Sequence, residues 1–409
     1  MHLPDYFRTP LPRLDLAARW LAVIWVFVIP LSTAANSLTR ALLLLAWVMA
    51  GGFVVRWHSV RSQPLAWVSV AFFAWIVVGA TYTSADGTAV LDHLSKYSKL
   101  LFLPLMLSLL QERPWRTRAL NAFVCAMTIT LLASMLHVAW AFPGAKATQD
   151  NAAGNHYIFT NYIQQNVMMS LFALVCLVRA RWPASPGRRW MWLALAALAI
   201  LNIAVFVGGR TGYLTLGACL LVFAMTSTPM RWRLPALAAV AGLAVLLYAI
   251  SPQAQRRVDQ VASEVQSRAE DGTTTSSGLR MGFWTGSLRL IAIHPALGTG
   301  TASYQQEFCR AMSPQWCGLA ANGHPHNQPL HSWVENGFPG FLLACLLIAL
   351  PAWLGRTAPA PERLMLFGVS AAFLVHSLLN ASIFHIEGYF FLTLLAATLP
   401  AVSGKARED

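Results

Sequence analysis

Three histidines crowd the stretch GHPHNQPLHSW: His324, His326 and His331. A neutral imidazole in a water-filled pocket suits general-base work near neutral pH, and a histidine beside a Pro-Asn turn serves equally as an ordinary hydrogen-bonded turn residue. The His-x-His spacing raises the question of a metal. No third ligand with a clear partner is evident, and neither Asp-x-Asp nor His-Glu-x-x-His occurs, so no metal and no other cofactor is expected. Arg210 follows two glycines at the head of an apolar run, and Arg280 falls in the first turn of a helix that Ser276 or Ser277 can cap. Two guanidiniums, each near the positive end of a helix, suit a phosphate or pyrophosphate. Pairing with Asp259, Glu264, Glu270 or Asp271, or with lipid headgroups, is the competing account.

Other polar residues carry two readings each. Lys96 and Lys99 flank an apolar run and either contact anionic substrate or lipid, or snorkel to headgroups. Asn161, Gln164, Gln165 and Asn166 start another run, where they either bind sugar hydroxyls or cap a helix. Cys309 and Cys317 lie in a polar stretch and form either a disulfide closing a small loop or two free thiols.

The elements that must position these groups are overwhelmingly apolar. Of the 409 residues, 56% are hydrophobic and 11% charged, well under the roughly 25% charged residues of soluble domains. Twelve apolar runs fall near 15–34, 36–55, 65–82, 97–111, 119–141, 162–179, 190–207, 213–229, 234–250, 337–354, 364–383 and 388–403. They predict an all-α integral membrane protein of about twelve transmembrane helices, since a span needs roughly 20 apolar residues. The first run lacks a small-residue cleavage site and reads as a retained span. The chain then divides into transmembrane helices 1–9 over 1–250, a large polar loop over 251–336, and helices 10–12 with a tail over 337–409. Within the loop, Val258, Val261 and Val265 share one helical face. Phe283, Trp284, Leu288 and Ile291 share another, on a helix stopped before Pro295.

Charge placement sets the orientation and accounts for the +13 net charge without nucleic acid. With the N-terminus cytoplasmic, one side collects clusters such as Arg56 and Arg61, or Arg179, Arg181, Arg188 and Arg189, and with Lys405 and Arg407 holds more than half of the 29 Lys and Arg. The positive-inside rule puts that side and both termini in the cytoplasm and the long loop outside. Most of the sixteen tryptophans mark membrane interfaces. A transporter for lipid-linked glycan is the reading from a different class. Such proteins tend to place charged residues mid-membrane, often within internal repeats, and no repeat is evident here.

His326-Asn327, followed nine residues later by Gly337-Phe338-Pro339-Gly340, resembles the H[NSQ]-x9-G-x-x-[GTY] pattern of the bacterial O-antigen ligase (WaaL) family. The series Arg280, Trp284 and His294-Pro295-Ala296-Leu297-Gly298-Thr299-Gly300 is similar to the start of the outer loop shared by O-antigen ligases, O-antigen polymerases and protein O-oligosaccharyltransferases. The motifs cover about 278–340, and the layout covers most of the chain. The resemblance implies a GT-C-like, metal-independent, inverting glycosyltransferase of the bacterial inner membrane with its active site at the periplasmic face. Its donor would be undecaprenyl-pyrophosphate-linked glycan and its acceptor lipid A–core, with membrane lipids as further partners and no nucleic acid. His326 would be the catalytic residue and Arg210 and Arg280 would bind pyrophosphate. His324, Asn327, Lys96, Lys99, Asn161 and Gln165 are candidate substrate-binding residues. Among sister enzymes, protein-glycosylating relatives usually extend further at the C-terminus, whereas this chain stops soon after Ser403, which favours the ligase.

Overall fold

Every apolar run in the sequence becomes a helix, and no strand forms among the described residues. The structure is a computed structural model. It describes residues 5–141, 143–152, 154–252, 255–256, 276–312, 316–317 and 323–399. The helices are α1 (Pro12–Val28), α2 (Thr33–Ala50), α3 (Phe53–Val60), α4 (Pro64–Gly79), α5 (Gly87–Tyr97), α6 (Lys99–Leu109), α7 (Arg113–Ala139) and α8 (Tyr162–Arg181). They continue as α9 (Pro186–Leu201), α10 (Arg210–Ser227), α11 (Arg233–Ile250), α12 (Ser276–Ile293), α13 (Tyr304–Ala311), α14 (Gln328–Gly355), α15 (Ala360–Leu379) and α16 (Glu387–Thr398). Prolines open several of them: the first turn needs no N–H from that residue, and its fixed φ already suits a helix. Ser32, Asp86, Asn161 and Asn327 cap four others through their side-chain oxygens.

Among the described residues, seven helices are long and apolar enough to cross a membrane, or eight if the bent pair α3–α4 is one span. The remaining runs predicted as spans also form helices, but α6 and α16 have only 11 and 12 residues. At about 1.5 Å per residue, neither bridges a hydrocarbon core of roughly 30 Å alone. The packing agrees with a lipid environment. Phe72, Phe123, Phe172, Phe373 and Phe391 are fully buried between helices, while Leu38, Leu45, Leu132, Leu136 and Val245 point outward, each more than half exposed. The chain is a multi-pass membrane protein with an all-α fold. The predicted helix through Val258, Val261 and Val265, the acidic residues Asp259, Glu264, Glu270 and Asp271, and Lys405 and Arg407 lie outside the described residues.

The helix predicted to begin at 337 begins instead at Gln328, and Gly337 is a break within it, at φ 64° and ψ −166°. That break orphans two carbonyls. Pro339 has no N–H to offer Glu335, and Phe338 donates instead to Pro295 (3.1 Å) and Ala296 (3.2 Å). The His294–Gly300 turn replaces both lost donors: Thr299 N–H bonds the Val334 carbonyl and Gly300 N–H the Glu335 carbonyl, each at 2.8 Å. The same turn reaches α4, since Thr301 N–H donates to Gly79 at 3.1 Å and its hydroxyl to Ile76 at 2.6 Å. Trp75 on α4 donates to the Asn336 carbonyl at 2.7 Å. The two motifs read separately in sequence are thus halves of one hydrogen-bonded joint.

A Cβ at residue 337 would stand 2.1 Å from the Ala296 carbonyl oxygen, in a backbone region that L side chains avoid. Gly337→Ala should therefore destabilise the protein by about 2 kcal/mol or more, read as a lowered melting temperature in detergent. An unchanged melting temperature would mean that the joint does not form.

Candidate active site

His326 sits just before α14 in a left-handed conformation, φ 51°, which few residues other than glycine adopt. Hydrogen bonds hold it there. Its backbone N–H donates to His324 Nδ1 at 3.2 Å. Its own ring nitrogen Nδ1 lies 3.1 Å from the Asn380 side-chain oxygen. An amide oxygen only accepts, so Nδ1 carries the proton and Nε2 presents a lone pair. Nε2 makes no hydrogen bond among the described residues, which leaves it available to a substrate. The next residue anchors the helix: Asn327 accepts from Leu330 N–H at 3.0 Å and donates to the Leu378 carbonyl at 3.2 Å. Asn327 therefore spends its side chain on the helix start, whereas His326 keeps one ring nitrogen open.

His324 is buried and its tautomer is dictated by its neighbours. Nδ1 accepts from His326, so Nε2 carries the proton and donates to His385 Nε2 at 2.9 Å. Burial, then the neighbouring His385, push His324 far below the usual imidazole range. Burial, followed by the Lys99 charge, pushes His385 down to about 4. Both shifts favour the neutral imidazole, and the hydrogen-bonded pair reaches the His326 backbone through His324 Nδ1.

Arg280 approaches His326 from α12. Burial, and less strongly the Arg280 charge, lower the His326 pKa, while the Asn380 hydrogen bond works in the opposite direction. A base kept neutral in this way is ready to take a proton. Phe283 stacks beside the His326 ring at 6.1 Å, and Trp284 Nε1 donates to the Pro325 carbonyl at 3.1 Å. The face of α12 differs from the predicted one. Phe283, Ser287, Leu290 and Ile291 are buried, but Leu288 is 57% exposed. The buried face is marked instead by Gly282 and Gly286, where a Cβ would collide with Trp316 and Phe308. The disulfide expected between Cys309 and Cys317 is present, with Cα atoms 4.8 Å apart. Arg210 opens α10, and Gly209 beside it approaches Tyr162 at the start of α8. Because α8 and α15 share the Arg179–Glu362 end, this start faces the same end of the bundle as Asn380 and His326.

The remaining candidates take structural places. Lys99 is 2% exposed, and its ammonium donates to the carbonyls of Phe384 (3.1 Å) and His385. Lys96 pairs with Asp92 at 2.7 Å and lies over the Phe384 ring. Asn161 caps α8 through Gln164 N–H at 2.9 Å. Gln165 is fully buried and accepts from Ile158 N–H at 2.9 Å. For all four, the structural reading accounts for the contacts.

Four residues at the centre escaped sequence reading: Asn380, His385, His93 and Glu335. His93 Nε2 and His331 Nε2 stand 3.3 and 3.4 Å from Glu335 Oε1, deeply buried, with Tyr304 N–H at 3.3 Å from the same oxygen. These three side chains place ligand atoms within 4.8 Å of one another and are the group among the described residues suited to a cation. They fall one short of a closed zinc shell. A glutamate two residues before an apolar run and four after a histidine was the available signal.

Fold and site define a multi-pass membrane protein with a positioned neutral histidine beside an arginine. Residues 195–345 match the O-antigen ligase family. An uncharacterized protein of Haemophilus influenzae is 31% identical over 113 residues, covering 27% of this chain and 28% of that protein. The matched region thus spans less than a third of that relative.

If Asn380 fixes the His326 tautomer, Asn380→Leu should lower kcat by on the order of tenfold or more, a fraction of what a general base supplies, with KM little changed. Asn380→Asp should retain more activity than the leucine variant. Equal activity in both variants and the wild type would remove Asn380 from this role.

Proposed function

We propose that this protein is an inner-membrane glycosyltransferase that moves a glycan from undecaprenyl pyrophosphate to lipid A–core at the periplasmic face. The observation that carries this reading is His326, fixed by Asn380 with Nε2 open and with Arg280 close enough to influence its charge. Nε2 takes the proton of an acceptor hydroxyl. The oxygen attacks the anomeric carbon opposite the pyrophosphate, the bond from that carbon to the pyrophosphate oxygen breaks, and the anomeric centre inverts. Arg280 and Arg210 face the negative charge growing on the leaving group, the electrostatic assistance that usually dominates such catalysis. The protonated His326 then returns its proton to water or to the departing pyrophosphate. Pyrophosphate leaves readily, so the reaction needs neither ATP nor a strong acid. A membrane fold lets both lipid-tailed substrates arrive sideways between helices.

The test is transfer by purified protein supplied with undecaprenyl-pyrophosphate glycan and lipid A–core, read by gel and mass. A core-linked glycan is expected. Glycan growing on its carrier with the core untouched would make the enzyme a polymerase using the same site. No glycan chemistry in folded protein would overturn the proposal. His326→Ala should lose about 10²- to 10⁴-fold in rate while remaining folded. Arg280→Lys should lose on the order of tenfold, because a lysine lacks the planar fork that matches phosphate oxygens. Wild-type rates in either variant would contradict the role given to that residue.

A further inference from the structure

Four arginines converge on a cavity for which the transfer chemistry has no use. A pocket of about 480 Å³ opens where α7 begins and α8 ends, lined by Arg113, Arg116, Arg179 and Arg188. It lies at the end of the bundle opposite His326. Glu362 of α15 shares its lining, whereas Asn380, just past the other end of α15, holds the histidine. The two positions are eighteen residue steps apart, about 27 Å along the helix axis.

The arrangement is more specific than the positive-inside rule demands, since that rule needs arginines on one side but not around one cavity. Two of them are held by neutral partners. Arg179 donates to the Asn121 side-chain oxygen at 2.7 Å and lies over the Trp192 ring at 4.8 Å. Arg116 donates to the carbonyls of Leu110 (3.3 Å) and Gln111. Arg113 and Arg188 are exposed. None of the four comes within ion-pair distance of an acid among the described residues, although Glu362 lines the same pocket and partly offsets the Arg116 charge. Positive charges gathered this closely repel, and a bound anion relieves the repulsion. The indoles of Trp182 and Trp192 beside them are the side chains that favour the headgroup level of a bilayer.

We propose that this cavity binds the phosphate-bearing headgroup of an anionic lipid, at the leaflet opposite the transfer site. The proposal rests on the membrane fold and not on the transfer chemistry, so either can fail alone. A soluble phosphate offers the same charge, and the experiment separates the two sources.

The test is native mass spectrometry of the full chain released from detergent and titrated separately with phosphatidylglycerol, phosphatidylcholine and sodium pyrophosphate. The wild type should retain phosphatidylglycerol at least fivefold more strongly than phosphatidylcholine. Arg188→Gln, an exposed change that leaves the packing untouched, should weaken that retention threefold or more. Arg116→Gln combined with Arg179→Gln should abolish the preference, and Arg61→Gln, outside the cavity, should leave it intact. Equal retention of the two lipids, or an equal loss from Arg61→Gln, would overturn the site. Pyrophosphate binding that depends on these arginines, without any preference between lipids, would assign the cavity to a soluble phosphate and overturn the lipid reading.

Discussion

The docking of the His294–Gly300 turn into the break at Gly337 is the constraint from which the rest of the site follows. A proline at 339 and a positive φ at 337 remove two helical hydrogen bonds, and unpaired carbonyls inside a membrane protein are costly. Thr299 and Gly300 supply the missing donors. In doing so they fix the C-terminal end of α12 against α14, with Phe283 and Arg280 about three and three and a half turns further back toward the start of α12. His326 is fixed from the other direction, by the cap that starts α14. The guanidinium and the imidazole therefore meet because one helix is broken in one place.

Around His326 the polar groups are arranged to keep charge low where a base is wanted. His324 and His385 are neutral partners in a hydrogen-bonded chain, and each accepts or donates in the one sense its neighbour allows. Lys99 would be a natural phosphate ligand by type, but it holds the loop that carries His385. Positive charge near the base is left to Arg280. Farther in, Glu335 between His93 and His331 ties α5 to α14 beneath the site, and a buried carboxylate of this kind demands partners wherever the chain can supply them.

Much of this was legible in the sequence, for reasons that are local. His326, Asn327, Gly337 and Gly340 stand out by spacing within one turn-and-helix unit, although the cap at Asn327 and the break at Gly337 were not read from it. Apolar runs locate helices because lipid leaves no other backbone arrangement available. The count of spans was less legible, since a run such as 97–111 yields a helix of only 11 residues. The face of α12 was misplaced at Leu288 because large side chains were followed, whereas the close approach is made by Gly282 and Gly286. Asn380 and His93 were invisible for a different reason. Each reaches its partner across many intervening residues, and no periodic pattern ties Asn380 to His326 or His93 to Glu335. The arginines that ring the α7–α8 cavity read only as a topological signal until the helices were packed.

The central claim is that a neutral His326, kept so in part by Arg280, is the base for glycosyl transfer. The most direct measurement is the pH dependence of transfer in the wild type and in Arg280→Gln. Because burial and the Arg280 charge depress the His326 pKa, wild-type activity should fall only as pH drops below the ordinary imidazole range near 6.5. Removing the guanidinium takes away one of those depressions, so the pKa should rise and the acid limb should move to higher pH. A limb that stays in place, or moves to lower pH, would contradict the account.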